Sequence, residues 1–374
     1  MVAKSKRQCN HRTWMLDQTV TPLRDKQSER WNYSRLIVAM VIFVLQGSND
    51  ACWPENVSRR LPSALPESSK RPAQQARSIN FGDQFLGAVE VRRGKQILGS
   101  KPARGKIIVP SDSYVILKCG YEISGKPILT LKGLGPKDLQ ELDLSQSNVL
   151  GEDLSAIGKL YGLQVLSLSH TSIKDSGLRH LSRLAELKEL FLCDTNVTDE
   201  GIEYLKSLSK LTCLQLSHTH ITGRTLAQLS GLPYLRKLYL TQTDIADKDL
   251  GQLTSLPYLE ELHFDKDKIS DAGAQKLTNL THLRILCLPG TEVTSKCMNY
   301  FKAMRQLHEL DLSDTAVDDS AVPLLTQLPL TDLILINTKI SKAGLQQLHA
   351  RLRHCKITVQ SPAALQFSGS DRRV

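Results

Sequence analysis

Aromatic side chains are scarce in this chain, at only 5% of 374 residues. Leucine carries most of the 41% apolar content. A core built mainly from one residue type points to one slot filled repeatedly. It speaks against the two or three ordinary domains that the length alone would suggest. No apolar run approaches the roughly 20 residues a bilayer-spanning helix requires. The eight cysteines (Cys9, Cys52, Cys119, Cys193, Cys213, Cys287, Cys297 and Cys355) contain no CxxC, and their spacings fit no small disulfide framework or zinc site, so free thiols are expected. GxxxxGK[ST], HExxH and GxSxG are all missing. These absences exclude the common phosphate-binding, zinc-protease and serine-hydrolase designs. No cofactor, no metal and no catalytic residue is expected, and the chain is read as a non-enzyme.

The net charge of +10 would invite a nucleic-acid reading, but its distribution argues against one. Residues 1–78 hold 13 Lys+Arg against 6 Asp+Glu, residues 79–138 hold 10 against 5, and residues 341–374 hold 6 against 1. Residues 139–340 reverse the balance, with 19 basic and 26 acidic side chains. An acidic body is a poor phosphate binder, so the repeat body is not expected to bind nucleic acid.

The longest apolar stretch is Leu36–Leu45 (LIVAMVIFVL), preceded by Lys4, Lys6, Arg7, Arg12, Arg24, Lys26, Arg30 and Arg35. Ten apolar residues behind a basic region suit the hydrophobic part of an export signal. Residues 1–52 are therefore read as a basic region with a signal or anchor segment. The stretch before the run is long for a signal, and Met15 is an alternative start. Ala51 offers a small residue for cleavage while Asn49 does not, which leaves cleavage and anchoring both open. Residues 53–78 are rich in Pro, Ser and Arg and read as a disordered linker. Residues 79–138 regain strand-like segments at Gly105–Val109, Tyr114–Lys118 and Pro127–Leu131. They are expected to form a small β-rich cap over the exposed end of the array.

The array itself is explicit. L-x-x-L-x-L occurs at Leu139/Leu142/Leu144, Leu163/Leu166/Leu168, Leu187/Leu190/Leu192, Leu211/Leu214/Leu216 and Leu235/Leu238/Leu240. It continues at Leu259/Leu262/Phe264, Leu283/Leu286/Leu288, Leu307/Leu310/Leu312 and Leu330/Leu333/Leu335. The units are 24 residues apart, and the last is 23. Thr171, Thr195, Thr219, Thr243, Thr291, Thr315 and Thr338 hold one further slot, filled elsewhere by Ser147 and Asp267. A branched residue follows two positions on, from Val149 and Ile173 through to Ile340. Next come a frequent Asp (Asp175, Asp199, Asp247, Asp271, Asp319) and a frequent Gly (Gly177, Gly201, Gly273, Gly344).

Period two over L-x-L predicts a short strand with inward leucines. The Thr is placed to hydrogen-bond the backbone where the strand ends. The Asp is placed to cap a helix start. Leu178, Leu181 and Leu184, and their equivalents, predict a helical face packed on the strands. Strands stack about 4.8 Å apart and helices need more room, so the array must curve with its parallel sheet on the concave side.

This pattern, over residues 139–348, resembles the leucine-rich repeat. Val197-Thr-Asp-Glu-Gly-Ile202 is similar to the cysteine-containing subclass found in the substrate-receptor arms of F-box ubiquitin-ligase adaptors, with Thr in place of the subclass cysteine. No F-box-like segment precedes the repeats. The 24-residue Thr-type unit behind an export-like leader is more similar to large bacterial families of exported leucine-rich-repeat proteins. Leu348–Thr358 resembles their closing helix and strand, so residues 349–361 are read as a C-terminal cap and 362–374 as a disordered tail. The resemblance implies an α/β solenoid of about nine repeats, capped at both ends, that binds protein.

Three strand positions face out of the concave side. The first row reads Glu141, Val165, Glu189, Cys213, Lys237, Glu261, Ile285, Glu309, Asp332. The second reads Asp143, Ser167, Phe191, Gln215, Tyr239, His263, Cys287, Asp311, Ile334. The third includes Ser145, Ser169, Cys193, Ser217, Thr241, Asp265, Pro289 and Ser313. These rows vary while the core slots do not, as a recognition surface on a constant scaffold would; an unconstrained solvated face would vary too. Phe191, Tyr239 and His263 are expected as exposed aromatic anchors, and the acids favour a partner with a basic surface. The candidate contact residues are Glu189, Phe191, Gln215, Lys237, Tyr239, Glu261, His263, Asp265 and Asp311. His170 and His218, with Asp194 between them, are read as a surface row. Cys193 and Cys213 lie out of register, too far apart for a disulfide. The functional expectation is an exported or membrane-tethered, non-catalytic binding module. The alternative is an intracellular adaptor arm in the cytoplasm. Oligomeric state is left open.

Overall fold

A computed structural model describes residues 76–119 and 131–359. The apolar run 36–45, the stretch 53–75, most of Pro127–Leu131 and the tail 362–374 lie outside the described residues.

The chain enters through five strands: β1 (Ala76–Asn80), β2 (Ala88–Arg93), β3 (Gln96–Pro102), β4 (Lys106–Pro110) and β5 (Tyr114–Lys118). Of these, β4 and β5 fall on the strand-like segments legible in the sequence, β2 and β3 lie outside those segments, and β1 begins within 53–78, so the stretch read as a disordered linker is strand from Ala76. Nine three-residue strands follow at the L-x-x-L-x-L positions: β6 (Glu141–Asp143), β7 (Val165–Ser167), β8 (Glu189–Phe191), β9 (Cys213–Gln215), β10 (Lys237–Tyr239), β11 (Glu261–His263), β12 (Ile285–Cys287), β13 (Glu309–Asp311) and β14 (Asp332–Ile334). The ten-residue helix Lys342–Arg351 and β15 (Lys356–Thr358) close the array. The sheet order is β15-β14-β13-β12-β11-β10-β9-β8-β7-β6-β5-β2-β3, thirteen strands, with β1 and β4 paired separately. From β5 to β15 every pairing is parallel, and equivalent repeat positions face each other, as in Leu238↔Leu262 and Tyr239↔His263.

The leucines of these slots are buried along the whole sheet and form one continuous core with the branched residues Ile173, Val197, Ile221, Ile245, Ile269, Val293 and Val317. Each repeat buries its apolar face only against its neighbours, so the array is stable as a stack. The ladder Thr behaves as expected. Its hydroxyl donates to the carbonyl three residues back, from Thr171 to Leu168 at 2.6 Å, Thr195 to Leu192 at 2.7 Å and Thr291 to Leu288 at 2.7 Å. One residue before it, Gln146, His170, Asp194, His218, Gln242, Lys266, Asp314 and Asn337 take φ of 53–60°, with Gly290 in the same slot. The chain must turn out of the sheet there once per repeat, and that turn requires the left-handed region.

The convex side is helical as expected, in short α-turns running into 3-10 segments, such as Asp175–Leu178 followed by Arg179–Arg183. The reason lies in the spacing. Leu178, Leu181 and Leu184 recur every three residues, which matches the 3.0 residues per turn of a 3-10 helix better than 3.6. The Asp, however, is not the cap. The N-cap is the residue before it: Thr198 and Ser270 accept the amides of Glu200 and Ala272. Thr222, in the repeat where Gly223 replaces the Asp, accepts that of Arg224 in the same way.

The Asp instead reaches forward into the next repeat. Asp175 accepts Thr198 N and Oγ1, both at 2.8 Å, and Asp271 accepts Thr294 N at 2.8 Å and Oγ1 at 2.6 Å. This explains the glycine two positions further on. A Cβ on Gly201 would lie 2.4 Å from Asp175 Oδ1, and one on Gly273 would lie 2.2 Å from Asp247 Oδ1. The carboxylate of one repeat occupies the space a side chain would need in the next.

Candidate functional site

The register that stacks the leucines also stacks the outward positions, so the first two rows assigned from the sequence are neighbours in the sheet: Lys237 pairs with Glu261, Tyr239 with His263 and Phe191 with Gln215. The expected exposure of the aromatics does not hold. Phe191 is 2% exposed and Tyr239 3%, and only His263 keeps a partly exposed ring. For Tyr239 the cause is explicit. Its ring packs against that of His263, tilted by 31° with 4.5 Å between centroids, and its hydroxyl donates to Glu261 Oε1 at 2.6 Å. Phe191 lies in register between Ser167 and Gln215, both also buried. Neither aromatic is a free anchor.

The structure therefore joins four candidates into one unit centred on Glu261. Lys237 Nζ sits 2.7 Å from Oε2, and His263 Nε2 lies 3.2 Å from Oε1, the atom that also receives Tyr239. Burial pushes the Glu261 carboxyl up, but the bonds from His263, Lys237 and Tyr239 outweigh it and hold the group at about 2. Burial and the adjacent Glu261 push the Tyr239 hydroxyl far up, so it stays a donor. The sequence places these residues in two rows but does not reveal the coupling. The signal was the 24-residue separation of a Lys and a Glu in one row, which is the separation of direct cross-strand neighbours.

The remaining acidic candidates are in a different state. Burial raises the carboxyls of Glu189, Asp265 and Asp311, and of Glu141 at the start of the same face. Asp311 has local support from Ser313 N at 2.9 Å and Oγ at 2.6 Å. Asp265 Oδ1 is buried without a hydrogen-bond partner. None of the four forms an ion pair among the described residues. Gln215 turns inward along its own strand and accepts Ser217 N at 3.0 Å.

Cys213 and Cys287 are buried free thiols on the same face, as are Cys119 and Cys297 elsewhere, and Cys355 is free and half-buried. Cys193 is disulfide-bonded, so the free-thiol expectation fails at that residue. On the edge where the strands end, His170 Nδ1 meets Asp194 Oδ2 at 3.0 Å, and both line a shallow hollow of about 320 Å³ with His218, His220, Asn196 and Thr195. Among the described residues no three His, Cys, Asp or Glu side chains converge to hold a metal ion. No described helix is long and apolar enough to cross a membrane.

The model of the leucine-rich repeat region matches residues 136–370. The chain belongs to the leucine-rich-repeat family. Among solved structures it is similar to an internalin (inlF) from Listeria monocytogenes, with 18% identity, 68% of this chain and 90% of that one covered, and a TM-score of 0.45. It is also similar to an internalin C2 (inlC2) from the same species, with 25% identity, 57% and 84% covered, and a TM-score of 0.40. No curated protein matches the chain.

Proposed function

We propose that this chain is a non-catalytic binding module that holds a protein partner with a basic surface against its concave face. The observation that carries the reading is a contrast within that face. Glu261, supplied with Lys237, sits at about 2. Glu141, Glu189, Asp265 and Asp311 form no ion pair among the described residues, and burial raises them against the weaker pull of cations such as Lys118, near Glu141, and Lys237, near Glu189. A half-buried carboxylate with no cation in contact is held at a cost, and a Lys or Arg from a partner supplies the contact that Lys237 supplies to Glu261. Electrostatic complementarity of this kind sets specificity and on-rate. The Glu261 cluster is the rigid centre, and Glu189, Asp265 and Asp311 are the groups that meet the partner's cations. Export rests on the run Leu36–Leu45 and its basic flank.

The test uses the full chain as bait, with Glu189→Gln/Asp265→Asn/Asp311→Asn as the comparison and circular dichroism as the check on folding. The reading expects a basic partner that is captured by wild type, weakened in the variant, weakened by salt, and bound more tightly as pH rises through the carboxylate range. Equal capture by both proteins, or loss only when the basic flanks are altered, defeats it.

A further inference from the structure

We propose that the tip of the β2–β3 hairpin docks on an anionic lipid bilayer. The hairpin lies at the end of the thirteen-strand sheet beyond β5, and none of the concave-face candidates Glu189 to Asp311 is on it. Its turn is Gly94-Lys95, with Gly94 at φ +55°. Among the described residues strand β3 forms one end of the thirteen-strand sheet and pairs only with β2. Six of its seven residues are exposed, so the strand projects with both faces uncovered. Ile97 and Leu98, next to the turn, are 59% and 40% exposed. The two side chains are adjacent in sequence and together form a small apolar patch beside the turn.

The charges around this pair identify the occupant. Arg92 and Arg93 are paired with Glu90 and Asp112. Lys95, at the turn, and Lys101, further along β3, form no ion pair among the described residues, and neither do Arg104 and Lys106 in the same cap. The acids beside the tip are thus already used, and the remaining charge is positive. Two exposed aliphatics with unpaired Lys95 and Lys101 on the same hairpin combine the apolar and cationic parts of an interfacial membrane contact.

A protein strand added to the open β3 edge is the competing occupant, and the register argues against it. The β2–β3 ladder slips between Val91 and Arg92, so that Val91 pairs with Gly99, Arg92 pairs with Ile97 and Leu98 is extra. A bulge breaks the regular row of donors and acceptors that strand addition needs. It also breaks the alternation that would send Ile97 and Leu98 to opposite faces. A fluid surface tolerates such an irregular edge, and a second strand does not.

The experiment is co-sedimentation of the full chain with vesicles of phosphatidylcholine containing phosphatidylglycerol, compared with phosphatidylcholine alone. It is run for wild type, Ile97→Ser/Leu98→Ser and Lys95→Gln/Lys101→Gln. The expected result is binding to the anionic vesicles that weakens with salt and is about tenfold weaker in each double variant. A Leu98→Trp variant supplies a direct reading, because its added emission should shift to the blue only with anionic vesicles. Tryptophan is otherwise confined to Trp14, Trp31 and Trp53, so the wild-type spectrum is the baseline. Three outcomes overturn the proposal: no sedimentation of wild type, equal sedimentation of wild type and both double variants, or an unshifted Leu98→Trp emission. Gel filtration covers the protein alternative: if Ile97→Ser/Leu98→Ser turns an oligomer into a monomer without vesicles, the tip is a protein contact and the proposal fails.

Discussion

Asp267 occupies the ladder slot that seven other repeats fill with Thr, and the substitution carries a measurable pH signature. In those repeats the hydroxyl donates to the carbonyl at the end of the strand, as Thr243 does to Leu240 at 2.8 Å. An ionised carboxylate has no proton to donate. Asp267 Oδ1 accepts Thr243 N at 2.8 Å, while Oδ2 is buried without a partner and the residue is only 3% exposed. Burial, opposed by the bonds from Thr243, pushes the carboxyl from 3.8 up to about 8. The folded state therefore holds a proton that the unfolded chain gives up near pH 4. Stability from this group is present below the unfolded value and is lost as pH rises through about 8. At about 1.4 kcal/mol per unit, the group costs on the order of 4 kcal/mol at neutral pH compared with pH 4. Asp267→Asn keeps an acceptor for Thr243 N, offers a donor on the other atom and cannot ionise. Thermal melts followed by circular dichroism at pH 5, 7 and 8.5 should show wild type losing stability with rising pH and Asp267→Asn losing much less. At neutral pH the variant should be the more stable protein. Parallel curves for the two proteins, or a variant weaker at every pH, would refute the reasoning.

Four further perturbations follow from the contacts between repeats. Asp199→Ala removes bonds to Thr222 N, Thr222 Oγ1 and Thr225 Oγ1 at 2.9, 2.7 and 2.5 Å and should cost about 2 kcal/mol in chemical denaturation. Gly273→Ala places a methyl 2.2 Å from Asp247 Oδ1 and should cost about 1–3 kcal/mol, while in an Asp247→Ala background the same change should cost much less, which a double-mutant cycle reads directly. Glu261→Ala leaves Lys237 and the buried Tyr239 hydroxyl without their acceptor and should cost about 2–3 kcal/mol by denaturant unfolding, whereas Tyr239→Phe removes a single bond and should cost about 1 kcal/mol.

How much of this was legible depends on whether the information is periodic. The strands, their register and the identity of the outward rows follow from leucines 24 residues apart, because one slot specifies its equivalents in every unit. The 3-10 character of the convex side was also written in the three-residue spacing of Leu178, Leu181 and Leu184, but a helical template tuned to 3.6 conceals it. The role of Asp175 could not be read within its own repeat, because its partner Thr198 lies 23 residues on. Only the joint recurrence of the Asp, the following Thr or Ser and the glycine points to a bond across the boundary. The site is harder to read, since its rows are aperiodic by nature. Whether Tyr239 stands free or folds onto Glu261 depends on the lateral contact of particular side chains, and a periodic pattern is silent about those. The same silence covers β1 to β3, which lie outside the repeat and whose exposed Ile97 and Leu98 look in sequence like an ordinary strand. Periodicity thus specifies the scaffold, and the departures from it, at Asp267, at Glu261 and in the cap, are where individual chemistry enters this molecule.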